Sequence, residues 1–165
     1  MEFMELVRQR RSIRHYEDRP IEAEKLEAVL EAGCLAPSAR NDQDRHVYAV
    51  QEPRLLRELA RAADQKCAEE APCILAVTAP SQRVMGCGQK AGTVDCSIAL
   101  SYMQLAAVEQ GLGTVWLGSF DADAAAKALK LEPGSMVVAL SPLGYPAEHP
   151  DAKPRKPLAE VATVI

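Results

Sequence analysis

Apolar residues recur at helical spacing through the first third of the chain and give way to short apolar runs after it. Phe3, Leu6 and Val7 fall on one face of a helix expected over Glu2–Gln9. Pro20 opens a second helix whose inner face carries Leu26, Val29, Leu30 and Gly33. The polar stretch Pro37–Arg45 has no apolar period and reads as a loop. His46–Val50 reads as a strand, and Pro53 opens a helix to about Ala63 with Leu55, Leu56 and Leu59 inward. Ala71-Pro72 breaks the chain before Cys73–Ala79, whose near-continuous apolar run predicts a strand buried on both faces.

A loop is expected over Pro80–Gly92. The longest helix, about Asp95–Gln110, is apolar nearly all round, which predicts burial; Tyr102 and Met103 within it read as core or subunit interface. Gly111-Leu112-Gly113 ends it. Strands over Thr114–Leu117 and Met136–Leu143 flank a short helix, Ala122–Leu129, capped by Asp121. Pro146, Pro150, Pro154 and Pro157 keep the stretch from Tyr145 to Pro157 extended. The Val/Ile-rich end, Leu158–Ile165, reads as a strand that must pair with a sheet edge, in this subunit or a partner. Helices first, then strands alternating with helices, predict one α+β sandwich domain over residues 1–165 with a mixed sheet.

Composition narrows the function classes. The net charge of -4 argues against general nucleic-acid binding, which shows a basic excess. No run reaches the ~18 consecutive apolar residues of a membrane span, and no basic region precedes an apolar run at the start. A cytoplasmic protein is expected. Five cysteines, Cys34, Cys67, Cys73, Cys87 and Cys96, form no CxxC pair and no zinc-like spacing with His15, His46 or His149. Free thiols are expected, buried at Cys73 and Cys96 and in a loop at Cys87.

Against this acidic background stands a local basic cluster, Arg10-Arg11-Ser12-Ile13-Arg14, directly after the first helix. Guanidinium forks and a hydroxyl fit the oxygens of a phosphate. Arginine after a helix also faces the last carbonyls and the negative end of the dipole, so the cluster alone leaves helix capping open.

Three further stretches accompany the cluster, itself followed by His15-Tyr16. They are Ala36-Pro37-Ser38-Ala39-Arg40-Asn41-Asp42-Gln43, Gly111–Phe120, and Lys153-Pro154-Arg155-Lys156-Pro157-Leu158. Each alone reads as turns or a solvated charge run. In this order and at these separations the chain resembles the FMN-dependent nitroreductase family, over nearly its whole length.

The resemblance implies a sandwich with a four-stranded sheet, mixed or antiparallel, joined by a C-terminal strand from the partner. It also implies a domain-swapped homodimer with FMN at the subunit interface. Arg10, Arg11, Ser12, Arg14, Lys153 and Arg155 would bind the phosphate and ribityl chain, with Arg14 nearest the ring. Pro37, Ser38, Ala39, Asn41 and Gln43 would reach the ring from the other subunit. Leu117, Gly118 and Ser119 would present backbone N–H groups near flavin N5. No side-chain nucleophile is then required, because the flavin carries the redox chemistry. The implied activity is an oxidoreductase taking a hydride from NADH or NADPH to FMN, then to a small acceptor such as a nitroaromatic or quinone, by ping-pong.

Two departures stand out. Where the family typically continues Asn-x-Gln with Pro-Trp, this chain has Asp44-Arg45, so a different packing of the loop is expected. The Pro80–Gly92 loop is also short where longer members cover the substrate pocket. These features keep open a flavin-handling protein with little turnover. A specialised flavin enzyme, dehalogenating or flavin-cleaving, is the third possibility.

Overall fold

The computed structural model describes residues 2–81 and 83–165. Gln82, inside the loop expected over Pro80–Gly92, lies outside the described residues. The helices are α1 (Phe3–Gln9), α2 (Ala23–Leu35), α3 (Pro53–Ala63), α4 (Lys66–Glu70), α5 (Ala91–Glu109), α6 (Ala122–Ala128) and α7 (Leu158–Val161). The strands are β1 (His46–Val50), β2 (Cys73–Ala79), β3 (Gly113–Thr114) and β4 (Met136–Gly144). They form one sheet in the order β1-β2-β4-β3, with every ladder antiparallel. Among the described residues the one parallel pairing is an isolated bridge between Ser12 and Thr114. No helix among the described residues is long and apolar enough to cross a membrane.

The central strand β2 is buried at every position, as its apolar run predicts. Its side chains alternate between two cores. Ile74 and Ala76 pack with Leu59, Ala60 and Ala125 of α3 and α6, whereas Cys73, Leu75 and Val77 pack with Val29, Leu100 and Met103 of α2 and α5. Burial pushes the Cys73 and Cys96 thiols up to about 12, so both are inert core groups. Cys87 is exposed. Met103 is fully buried, but its neighbour Tyr102 is 45% exposed and does not belong to the core.

Four expectations are corrected. The second helix begins at Ala23, not Pro20. Pro20–Glu22 stays outside the helix because Ile21 inserts into the core beneath it. The long helix begins at Ala91, inside the expected loop. A Cβ on Gly92 would lie 2.5 Å from the Ala79 Cβ, so the glycine serves close packing of α5 on β2. The strand expected over Thr114–Leu117 keeps only its ends in the sheet. Thr114 pairs with Leu143 and Leu117 with Leu140, in one register, and the residues between do not pair. Finally, Leu158–Val161 is a helical turn, not a strand, and residues 162–165 join no strand of this chain. A strand needs a neighbour, and the terminal residues Val164 and Ile165 are fully exposed.

The start of the tail is held against the segment after α1. Glu17 N–H donates to Tyr145 O at 2.9 Å, and Ala147 N–H to His15 O at 2.9 Å. Tyr145 OH donates to Glu22 Oε2 at 2.5 Å while accepting from Lys25 Nζ at 2.8 Å, and the Arg19 guanidinium lies 3.7 Å over the ring. The Tyr145 hydrogen bond, more than any other contact, lowers the Glu22 pKa from 4.5 to about 2. A folded-state pKa below the unfolded one stabilises above the unfolded value and loses that contribution as pH falls through the folded value. Tyr145→Phe is therefore expected to flatten the fall in melting temperature between pH 4.5 and 2. An unchanged slope in a melting series would exclude this linkage.

Candidate cofactor site

α1 ends because Arg10 turns to an extended conformation, and its N–H still closes the last turn on Leu6 O. Arg11 Nη1 then donates back to Arg8 O at 2.6 Å and to Arg10 O at 3.0 Å. Arg11 is thus a helix cap, as the alternative reading of the cluster allows. Its Nε is buried without a partner among the described residues. The chain after it is pinned in two ways. Ile13 N–H donates to Thr114 O at 2.9 Å, and the buried Tyr16 OH donates to Ile13 O at 2.7 Å.

This anchoring presents Arg10, Arg11, Ser12 and Arg14 on one wall of a cleft of about 620 Å³, with Lys153 and Arg155 on the tail side. Among the described residues the one carboxylate in its wall is Asp151. Among the described residues none of these arginines nor Lys153 forms an ion pair, although five pairs form elsewhere. Burial, and then the Arg155 and Arg11 charges, lower the Arg10 pKa from its ordinary value. The cleft is therefore a concentration of uncompensated positive charge, which a phosphate dianion would relieve.

Glu148 was not singled out by its sequence context, yet it organises this wall. Its carboxylate accepts the Arg14 backbone N–H and, at 3.2 Å, that of His15. It holds main chain, and the Arg14 guanidinium, 3.4 Å from Ser12 O, pairs with no carboxylate among the described residues. His15 faces Glu70 at 3.1 Å.

The Pro37–Gln43 stretch does not line this cleft. It contains a tight turn at Ala39–Asn41 in which Arg40 and Asn41, and then Gln43, have φ of 60°, 57° and 53°. Left-handed conformations at non-glycine residues cost on the order of 1 kcal/mol each and persist where surroundings enforce them. Ser38 Oγ accepts from Gln43 N–H at 3.0 Å, and Asp42 pairs with Arg83 at 2.7 Å. Ala39 N–H donates to Asp95 Oδ1 at 3.0 Å. Asp95 is 2% exposed, and the signal that could have found it is a carboxylate within the apolar stretch near the start of α5.

At the Asp44-Arg45 departure both side chains make polar contacts. Asp44 accepts from Ser81 Oγ. The two hydrogens of Arg45 Nη2 are shared among Gly33 O, Cys34 O and Ala36 O, at 3.1, 3.2 and 2.5 Å from the nitrogen.

The turn after β3 divides by residue. Leu117 is buried, and its N–H is committed to Leu140 O at 2.9 Å, so it offers no donor to a ligand. Gly118 and Ser119 are exposed and their N–H groups make no hydrogen bond among the described residues; Ser119 O accepts from Gln65. Trp116 packs against the α2–α5 core.

Known proteins resemble this chain in sequence and fold. The model of the nitroreductase family matches residues 7–77 and 60–145. An FMN reductase (NAD(P)H) of Bacillus subtilis is 32% identical over 166 residues, covering 89% of this chain and 67% of that protein. The crystal structure of a nitroreductase family protein from Clostridium difficile 630 is 31% identical with a TM-score of 0.89, covering 99% of this chain and 98% of that one. The NADPH:FMN oxidoreductase of Vibrio harveyi, solved in complex with NAD+, is 28% identical with a TM-score of 0.89, covering 98% of this chain and 76% of that one. The family match spans the arginine wall, the left-handed loop and the Gly118-Ser119 turn alike, and on that evidence the chain belongs to the nitroreductase family.

Proposed function

We propose that the protein is an NAD(P)H-dependent FMN oxidoreductase that works as a homodimer. The observation that carries this is the cleft of unpaired cations, whose donor set fits a phosphate dianion. Arg10, Arg11, Ser12, Lys153 and Arg155 would hold the FMN phosphate and ribityl chain, and Arg14 would sit toward the ring. These residues would hold FMN, which would supply hydride chemistry between NADH or NADPH and a small nitroaromatic or quinone-like acceptor in two half-reactions. Arg14 supplies positive charge where reduction builds negative charge. The unengaged N–H groups of Gly118 and Ser119 supply donors near N5 without a titrating side chain.

The dimer rests on two features. The Pro37–Gln43 loop, through Pro37, Ser38, Ala39, Asn41 and Gln43, is absent from the cleft of its own chain, so a second copy would bring it. The tail and α1 expose Leu158, Val161, Val164, Phe3 and Met4, apolar surface of the kind a partner covers. The test is spectroscopic. The purified protein loaded with FMN is expected to be yellow and to lose its band near 450 nm on anaerobic addition of NADH or NADPH. A protein that ignores added FMN would remove the reading, and one that stays yellow with both nucleotides would leave it a flavin binder.

A further inference from the structure

We infer that Arg45 is a positioning residue: it holds the left-handed Pro37–Gln43 loop in shape before any cofactor arrives. The inference deepens the proposed function and rests on its assignment of this loop to FMN.

α2 has no basic residue in its last turn. Its final carbonyls have no intrahelical partners and carry the negative end of the helix dipole. Arg45, ten residues beyond the helix, places Nη2 on three of them, the carbonyls of Gly33, Cys34 and Ala36. The guanidinium thus bolts the far end of the loop onto the element from which the loop departs. Between the bolt and the helix, Arg40, Asn41 and Gln43 stay left-handed. Nearer the start of the loop, Asp95 of α5 accepts the Ala39 N–H.

The two anchors carry opposite charge, and both are only half used. Arg45 Nη1 and Asp95 Oδ2 are buried with no partner among the described residues. Both lie near the same buried thiol, Cys96, whose pKa is raised first by burial, then lowered by Arg45 and raised by Asp95 and Asp44. Arg45 and Asp95 therefore form an electrostatic frame around the loop, in the position where relatives of the family present an apolar Pro-Trp pair. Preorganisation of this kind shows in binding, because a loop already ordered loses less freedom when the ligand docks.

The test compares Arg45→Ala, Arg45→Lys and Leu59→Ala. Leu59 lies fully buried in the core on the other face of the sheet, so its truncation lowers stability without touching the loop. Two quantities are read: the FMN dissociation constant and amide hydrogen exchange across residues 38–43 in the FMN-free protein. Arg45→Ala is expected to weaken FMN at least 10-fold and to speed exchange at 38–43. Arg45→Lys, whose ammonium carries three donors for the same carbonyls, is expected to stay within 3-fold of wild type. Leu59→Ala is expected to leave both readouts unchanged at a temperature where it is folded. Exchange unaltered by Arg45→Ala, or an equal FMN loss in Leu59→Ala, would overturn the inference. If wild type itself binds no FMN, the proposed function falls, and the exchange comparison alone then decides whether Arg45 orders the loop.

Discussion

Replacing Arg10 and Arg14 together by alanine is expected to weaken FMN binding by at least about 100-fold. Hydrogen bonds to a charged group contribute roughly 1.5–3 kcal/mol each, and losing two of them costs about 3 kcal/mol or more, at 1.4 kcal/mol per tenfold. The folded protein should survive the change. Arg10 is crowded by Arg155 and Arg11, and neither Arg10 nor Arg14 is in an ion pair, so their removal relieves repulsion and breaks no pair. Fluorescence titration of FMN, with a melting curve as control, checks both statements. Affinity equal to wild type would show that the phosphate lies elsewhere. Raising the salt concentration should weaken FMN binding to wild type more than to the double variant, since fewer charges remain to be screened.

Gly144→Ala should unfold the protein several degrees earlier and weaken the cofactor site with it. A Cβ at position 144 would stand 2.7 Å from Pro72 Cδ and 3.0 Å from Tyr16 Cδ1. Neither neighbour yields easily. The Pro72 ring is fixed in the chain at the entry to β2, and Tyr16 is buried with its hydroxyl on Ile13 O. Forcing an extra methyl into packed surroundings costs about 1–3 kcal/mol. For a chain of this length each kcal/mol shifts the melting temperature by roughly 2–4 °C. Tyr16 is also the anchor of the arginine wall, so displacing it should weaken FMN measurably. A variant that melts with wild type would show that β4 can slide away from Pro72 without cost.

Much of the fold follows from patterns local enough to read. The two-faced burial of β2 follows from its unbroken apolar run, and Pro53 and Gly111 mark the start of α3 and the turn after α5. Errors cluster where a distant contact outweighs a local signal. Gly92 reads as loop because glycine is a poor helix former, yet its missing Cβ is what lets α5 begin against Ala79. Leu158–Ile165 reads as strand from β-branched residues, but it pairs with neither edge of its own chain's sheet; it makes a helical turn and then stands open.

The candidate site divides in the same way. Residue type and order, read through the family resemblance, nominated the candidate groups: three arginines and a serine after one helix, Lys153 and Arg155 at the tail, and a Pro-Ser-x-x-Asn loop. Their charge and hydrogen-bonding capacity are properties of the side chains, and folding does not alter them. Only the tertiary structure decided their states. It made Arg11 a cap as well as a cleft residue, took the Leu117 N–H into the sheet, and set Glu148 on the backbone of Arg14. It also turned the Asp44-Arg45 departure from a lost apolar end into a clamp on α2. These outcomes rest on pairings between residues far apart in the chain, and such pairings are settled by packing and by the need to satisfy buried polar groups.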